Sequence, residues 1–153
     1  MNPVQQVMDE KYMREALRQA QYAFEKDEVP IGCVVVWKDR ILARGFNQTE
    51  TLQDASAHAE MIAITAAAHG SGGKFLKECT LYVTVEPCAM CAGALYWAQL
   101  GRLVYGTSEP KTGYNRYQPA LLHPKTSVTA GILEYECREL MQDFFRQKRA
   151  QSG

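Results

Sequence analysis

Residues 80–106 read TLYVTVEPCAMCAGALYWAQLGRLVYG. Two short runs rich in β-branched and apolar residues, 80–85 and 102–106, flank an alanine-rich segment, 88–99, that is long enough for a helix. Strand, helix and strand over so short a span form a crossover unit, which joins parallel strands and is right-handed in nearly all folds. Upstream, PIGCVVVWKDRILARGFN predicts two further strands, 31–37 and 41–46, joined by a Lys38-Asp39-Arg40 turn. The first is apolar on both faces, with Ile31, Cys33 and Val35 on one and Val34 and Val36 on the other, so it belongs inside the sheet.

The flanking segments supply the helix layers. Met13, Ala16, Leu17, Ala20 and Phe24 recur at helical intervals and predict a helix over 10–26 with one buried stripe. A polar connection, NQTETLQDAS, leads into a helix carrying His58 and Glu60, which the glycines of GSGGK end. Residues 107–125 hold three prolines and two tyrosines and predict an irregular surface segment with one short helix; TSVTAG then predicts a last short strand. From Ile132 onward Leu133, Cys137, Leu140, Met141 and Phe144 predict a closing helix with a basic tail. There is no internal repeat and no linker, so 1–153 is expected to form a single α/β domain with one mixed, five-stranded sheet between helix layers.

Composition excludes several classes. With 46% apolar and 22% charged residues the balance is that of an ordinary globular chain. No apolar run approaches the roughly 20 residues that span a bilayer, and MNPVQQVMDEKYM lacks the basic start and apolar stretch of an export signal, so the expectation is a cytoplasmic protein with no membrane partner. Lysine plus arginine equals aspartate plus glutamate, 17 against 17, so any nucleic acid must be bound by a local patch. Five cysteines, an odd count without an export signal, point to metal binding or burial rather than a disulfide framework. Cys33, Cys79 and Cys137 fall in strand or helix patterns and are expected in the core.

Cys88 and Cys91 are different. Three apart at a helix start they lie about 60° from each other around its axis, so both sulfurs can face one point. Pro87, expected in the first helical turn, supports that placement, and the helix N-terminus favours thiolate, the form that binds metal. His58 makes a third ligand. Structural zinc sites nearly always have four, whereas three leave a position for water, whose pKa zinc brings from about 15.7 to near 7. In SAHAEMIAI, His58 and Glu60 would diverge by about 200° in mid-helix and can serve one site only at the helix's first turn. There Glu60 can handle the proton without ligating the metal. His69 lies roughly 16 Å further along and cannot reach the same point. Read singly, each piece has a plainer alternative: a buried polar histidine, a redox pair or half a zinc knuckle, a carboxylate favoured by the helix dipole. Their joint occurrence, H-x-E before a strand and P-C-x-x-C after it, is the signature of zinc deaminases.

Through VPIGCVVV, GFNQ, AHAE, TLYVTVEPCAMCAGAL, GRLVYG, PKTG and GILEYECRELMQDFFRQKR the chain resembles the cytidine deaminase-like zinc hydrolases and, within them, the bacterial tRNA adenosine deaminases. The resemblance implies a three-layer α/β/α sandwich and hydrolytic deamination of adenosine to inosine at the wobble position of a tRNA anticodon. It implies one zinc per subunit on His58, Cys88 and Cys91, a proton shuttle at Glu60, a hydrogen bond from Asn47 to the target base, and help from the Ala59 backbone N–H in holding the base or intermediate. It further implies a homodimer that binds an anticodon stem-loop near the subunit junction. Lys111 of PKTG and Arg146, Lys148 and Arg149 of the tail are candidate RNA contacts, though three charges on a terminal helix also suit a solvated face. The family usually has aspartate two places before the PKTG lysine, where this chain has Glu109 followed by Pro110. Two other readings share these residues: a deaminase of free guanine, cytosine or a nucleoside, and a non-catalytic zinc-stabilised RNA-binding module. Guanine deaminases of the superfamily close the pocket with an aromatic C-terminus, whereas this sequence ends RAQSG.

Overall fold

Asn2 starts the first helix. Its side-chain oxygen accepts the Val4 N–H at 2.8 Å and Pro3 follows at the first helical position, so α1 runs Pro3–Glu25 in the computed structural model, which describes residues 2–71, 73–117 and 120–152. This start lies well before residue 10, where the apolar stripe begins, because the first turns project Val4 and Val7 into solvent and leave no buried periodicity to read. The remaining elements are β1 (Gly32–Trp37), β2 (Arg40–Phe46), α2 (Ala59–Ser71), β3 (Thr80–Val85), α3 (Ala89–Ala98), β4 (Arg102–Thr107), a 3-10 turn (Tyr114–Arg116), β5 (Ser127–Ala130) and α4 (Glu134–Ser152).

The strands form one five-stranded mixed sheet in the order β2-β1-β3-β4-β5. β1 is antiparallel to both neighbours, whereas β3, β4 and β5 run parallel, as the crossover unit requires. Lys38 and Asp39 both have positive φ, 47° and 60°, which is the backbone of a two-residue primed hairpin turn, so Arg40 pairs with Trp37 as part of β2 rather than completing the turn. At the other end of the chain, positive φ at Gly131 (88°) and Leu133 (53°) delays α4 to Glu134.

Each sheet face is covered. Val34, Val36, Tyr82 and Val104 meet Tyr12, Met13 and Ala16 of α1 and Cys137 of α4 on one side. Cys33, Val35, Leu81, Val83 and Leu103 meet Ala59, Ala63 and Ala67 of α2 and Ala92, Leu95 and Ala98 of α3 on the other, completing the three-layer α/β/α sandwich. Two glycines set how closely the layers approach. A Cβ at Gly32 would strike the α1 backbone at Ala16 and Ala20, and one at Gly45 would strike the Ala59 carbonyl at the start of α2. Residues 107–125 are less superficial than their composition suggests: Tyr114 and Leu122 are buried in the α2–α3 side of the core, and apolar burial there outweighs the three prolines. Among the described residues no helix is long and apolar enough to cross a membrane.

Candidate metal centre

The strand directions bring the end of β2, the start of β1 and the end of β3 to one edge of the sheet. β2 ends at Phe46 opposite the start of β1, and β3 runs antiparallel to β1, so its last residue, Val85, reaches the same edge. The chain leaves β2 through Asn47 and the 48–57 loop to His58, and leaves β3 through Glu86 and Pro87 to Cys88. A buried carboxylate braces the first of these loops: Glu28 accepts the Glu50 N–H at 3.1 Å, the Thr51 N–H at 2.6 Å and the Thr51 hydroxyl at 2.6 Å. Asp54 tightens the loop's end by accepting from the Ser56 N–H at 2.9 Å and hydroxyl at 2.7 Å.

The three proposed donors lie together. The ligand atoms of His58, Cys88 and Cys91 are all within 4.8 Å of one another, with His58 Nδ1 3.6 Å from Cys88 Sγ and 3.5 Å from Cys91 Sγ. Their backbone setting differs from the sequence expectation. His58 precedes α2 instead of standing on it; its carbonyl accepts the Ile62 N–H at 3.1 Å and its side chain is released from helical geometry. The 200° divergence from Glu60 therefore never arises. Cys88 is likewise the extended N-cap of α3, bridged to Gly113, while Cys91 lies in the first turn. Pro87 stands before that cap rather than in the first helical turn, and its carbonyl accepts the Tyr114 N–H at 2.9 Å.

The electrostatics suit a cation. A hydrogen bond from Cys91, with help from His58, pulls the Cys88 thiol down to about 4, while the same bond and burial push Cys91 up. The pair thus holds one thiolate before any metal supplies its own charge. Contact with Cys88 also raises His58. Glu60, in the first turn of α2 and only 4% exposed, is pushed up to about 7 by burial first and by the Cys88 charge after it. One imidazole and two thiols converging at a partly buried point are a donor set for a borderline-soft metal, and they fit zinc in number and kind.

The other sequence candidates fall into separate places. Asn47 is buried at the β2 end, its N–H donating to the Ile31 carbonyl at 3.0 Å; among the described residues nothing hydrogen-bonds its side-chain amide. Ala59 is fully buried at the start of α2, where its N–H is one of the first-turn amides without a helical acceptor. Lys111, Arg146 and Arg149 line one groove of about 730 Å³ between the 109–111 segment and α4, with Met141 and Phe145 among its walls. Lys148 is not with them: its Nζ pairs with Asp27 at 2.6 Å on another face. Arg146 is already partnered by Asp143. His69 is exposed in the last turn of α2, and Cys33, Cys79 and Cys137 are buried as expected. Two braces escaped sequence reasoning, Glu28 and Glu86, because a lone glutamate beside a loop carries no periodic signal; for Glu86 the one cue was an acidic residue wedged between an apolar strand end and Pro87.

A three-layer sandwich with an imidazole, two thiols and a buried carboxylate at one sheet edge defines a nucleobase-deaminase type of protein. The MafB19-like deaminase family model matches residues 7–149, and the chain belongs to that family. Within it the chain belongs with the tRNA-specific adenosine deaminases: it is 43% identical to the Bacillus subtilis (strain 168) protein of that name over 92% of this chain and 91% of the relative, and 41% identical to the Agrobacterium fabrum one over 90% and 94%. A solved structure from a study of A-to-I editing by tRNA:A34 deaminases at the wobble position superposes with a TM-score of 0.79, at 41% identity over 85% of this chain and 98% of that one. A Bacillus subtilis guanine deaminase also superposes, with a TM-score of 0.63 and 34% identity over 72% of this chain and 67% of that one.

Proposed function

We propose that this protein is a zinc-dependent deaminase that converts adenosine to inosine at the wobble position of a tRNA anticodon. The observation that carries the reading is the His58, Cys88 and Cys91 cluster beside buried Glu60, in a chain more than two-fifths identical to tRNA-specific adenosine deaminases. His58 Nδ1 and the two sulfurs would hold one zinc per subunit. When bound, zinc makes a nucleophile available at neutral pH by lowering the pKa of water from about 15.7 to near 7.

The chain's own residues do the rest. Glu60 in its ionised form takes a proton from the attacking water and delivers it to the adenine ring nitrogen next to C6, then carries a second proton to the departing amino group. Ammonia leaves and C6 keeps the oxygen, which gives inosine. Burial raises the Glu60 carboxyl, which favours proton uptake by a group that must both accept and give. Asn47 offers a free side-chain amide to the base edge, and the Ala59 N–H points from the α2 N-terminus, where the helix dipole favours developing negative charge. An anticodon loop suits the site because its bases are unpaired and splay out at modest unstacking cost.

Lys111, Arg146 and Arg149 would meet the RNA backbone from their shared groove, while Lys148, held by Asp27, is the weakest of the four candidates. A second copy of the chain is the proposed partner for the outer face of α3, where Trp97 is 77% exposed beside Tyr96. The cytoplasm is the compartment in which such a chain would meet tRNA.

The test is turnover. Purified protein loaded with zinc is incubated with an adenosine-34 anticodon stem-loop and, separately, with guanine, adenosine and cytidine, and inosine and ammonia are measured. Inosine formed in the stem-loop is the expected result. Turnover confined to guanine, the outcome the structural likeness to a guanine deaminase would favour, overturns it.

A further inference from the structure

Glu86 lies between β3 and the donor cluster and is only 6% exposed, yet among the described residues its carboxylate pairs with no cation and is not one of the clustered donors. It faces the chain segment that returns after β4. The Glu109 N–H donates to Oε1 at 2.9 Å and the Asn115 N–H donates to Oε2 at 2.9 Å, so each oxygen holds one end of the 109–115 loop. Between these anchors the loop closes on itself, with Gly113 N–H donating to the Glu109 carbonyl at 2.8 Å and the Glu109 side chain accepting the Lys111 N–H at 3.1 Å. Two further contacts fasten it to the ligand turn: Cys88 bridges to Gly113, and the Tyr114 N–H donates to the Pro87 carbonyl.

Gly113 shows how closely the parts are fitted. A Cβ there would run into the Glu86 carboxyl group and the Glu109 carbonyl, so the glycine of PKTG is required by its approach to the carboxylate; its φ of −65° is open to any residue. Glu109, where the family usually has aspartate, is held from both sides. The contacts that fix this position are its backbone N–H on Glu86 and its own carboxylate on the Lys111 N–H, which together set Lys111 at the mouth of the groove shared with Arg146 and Arg149.

We propose that Glu86 is a positioning residue for substrate recognition: its buried carboxylate locks the 109–115 loop onto the Pro87–Cys88 turn and so sets the basic groove in register with the metal cluster. The proposal rests on the tRNA deaminase reading for its substrate and on hydrogen bonds within the chain for its geometry. A carboxylate is the group for this place because it presents two acceptor oxygens to two backbone donors, whereas a carboxamide must turn an NH₂ toward one of them.

The experiment compares the full-length wild-type chain with Glu86→Gln, both carrying a measured zinc content. Two readouts are taken: hydrogen exchange of the 109–115 amides against the β3 and β4 amides, and kcat and KM on the adenosine-34 stem-loop. Release of the loop should speed exchange at Glu109 and Asn115 roughly tenfold or more, with the strand amides unchanged, and should raise KM by a similar factor while kcat per bound zinc changes less. Gly113→Ala pushes the same loop away from the other side and should give the same pattern; the double variant should be little worse than the poorer single one. Should Glu86→Gln fail to fold with zinc, Gly113→Ala decides by the same two readouts. Unchanged exchange across 109–115, or activity lost only in proportion to zinc or folded protein, overturns the assignment. A wild-type chain that leaves the stem-loop untouched refutes the tRNA reading instead, and hydrogen exchange then judges Glu86 alone.

Discussion

Burial raises the Glu60 carboxyl, and on the proposed reading its place beside the donor cluster lets it carry protons at the reacting water. Glu60 is not one of the three clustered donors, so on the proposed reading its removal takes away the proton carrier and leaves the candidate ligands in place. For Glu60→Ala the expected outcome is loss of about 10²–10⁴ in kcat, with zinc retained at one per chain and the thermal unfolding midpoint no lower than wild type. Loss of zinc together with activity would assign Glu60 to the metal shell, and unchanged turnover would rule out its role as proton carrier. His58→Ala is the converse case: it should reduce zinc content and activity together.

Between elements, the Asp9–Arg102 ion pair, buried on the aspartate side, ties α1 to three strands of the sheet. Asp9 on α1 accepts from Arg102 of β4 through both oxygens, at 2.8 and 2.7 Å, and from Tyr82 of β3 at 2.8 Å, while Arg102 also donates to Thr129 of β5 at 2.9 Å. Burial alone would raise the Asp9 carboxyl, but the hydrogen bonds from Arg102, Tyr82 and Gln5 outweigh it and hold the pKa below the ordinary carboxylate value. A depressed folded pKa adds stability above the unfolded value of about 4, and that stability is lost as pH falls through the lower folded value. Asp9→Asn should therefore cost about 3–5 kcal/mol at pH 7, because it leaves Arg102 unpaired, and should flatten the acid limb of a stability-against-pH curve. An acid limb unchanged in the variant would remove Asp9 from this role. Gly45→Ala tests another junction: the added methyl meets the Ala59 carbonyl, so it should destabilise by about 1–3 kcal/mol and displace the α2 N-terminus that carries Glu60, read as reduced kcat per bound zinc. Elements were legible in the sequence wherever apolar residues fill the faces an element must bury, as with the valine run of β1 or the alanines of α2. They were not legible where a single contact decides, as with the Asn2 cap, the left-handed Leu133 before α4, or Tyr114 buried within a proline-rich segment. The clustering of His58, Cys88 and Cys91 was readable from spacing, although it arises because His58 and Cys88 stand just outside their helices.

For the whole molecule, 17 acidic residues cancel 17 basic ones, so RNA affinity on the proposed reading must come from where charges stand rather than how many there are. The groove gathers Lys111, Arg146 and Arg149, and among the described residues Lys111 and Arg149 pair with no carboxylate. Lys148 is one residue from Arg149 in sequence but is engaged with Asp27, so its charge is already neutralised before any phosphate approaches. The two positions should separate cleanly in a salt titration of stem-loop binding. Each phosphate contact on a single strand contributes about −0.7 to the slope of log K against log salt concentration, and Arg149→Ala should lower the magnitude of the slope by about that amount while weakening binding. Lys148→Ala should change the slope less than Arg149→Ala does, because Lys148 already pairs with Asp27 and does not line the proposed groove. Equal slopes for both variants would mean that the tail acts as a diffuse basic surface, and the groove between the 109–111 segment and α4 would then have no special part in holding the substrate.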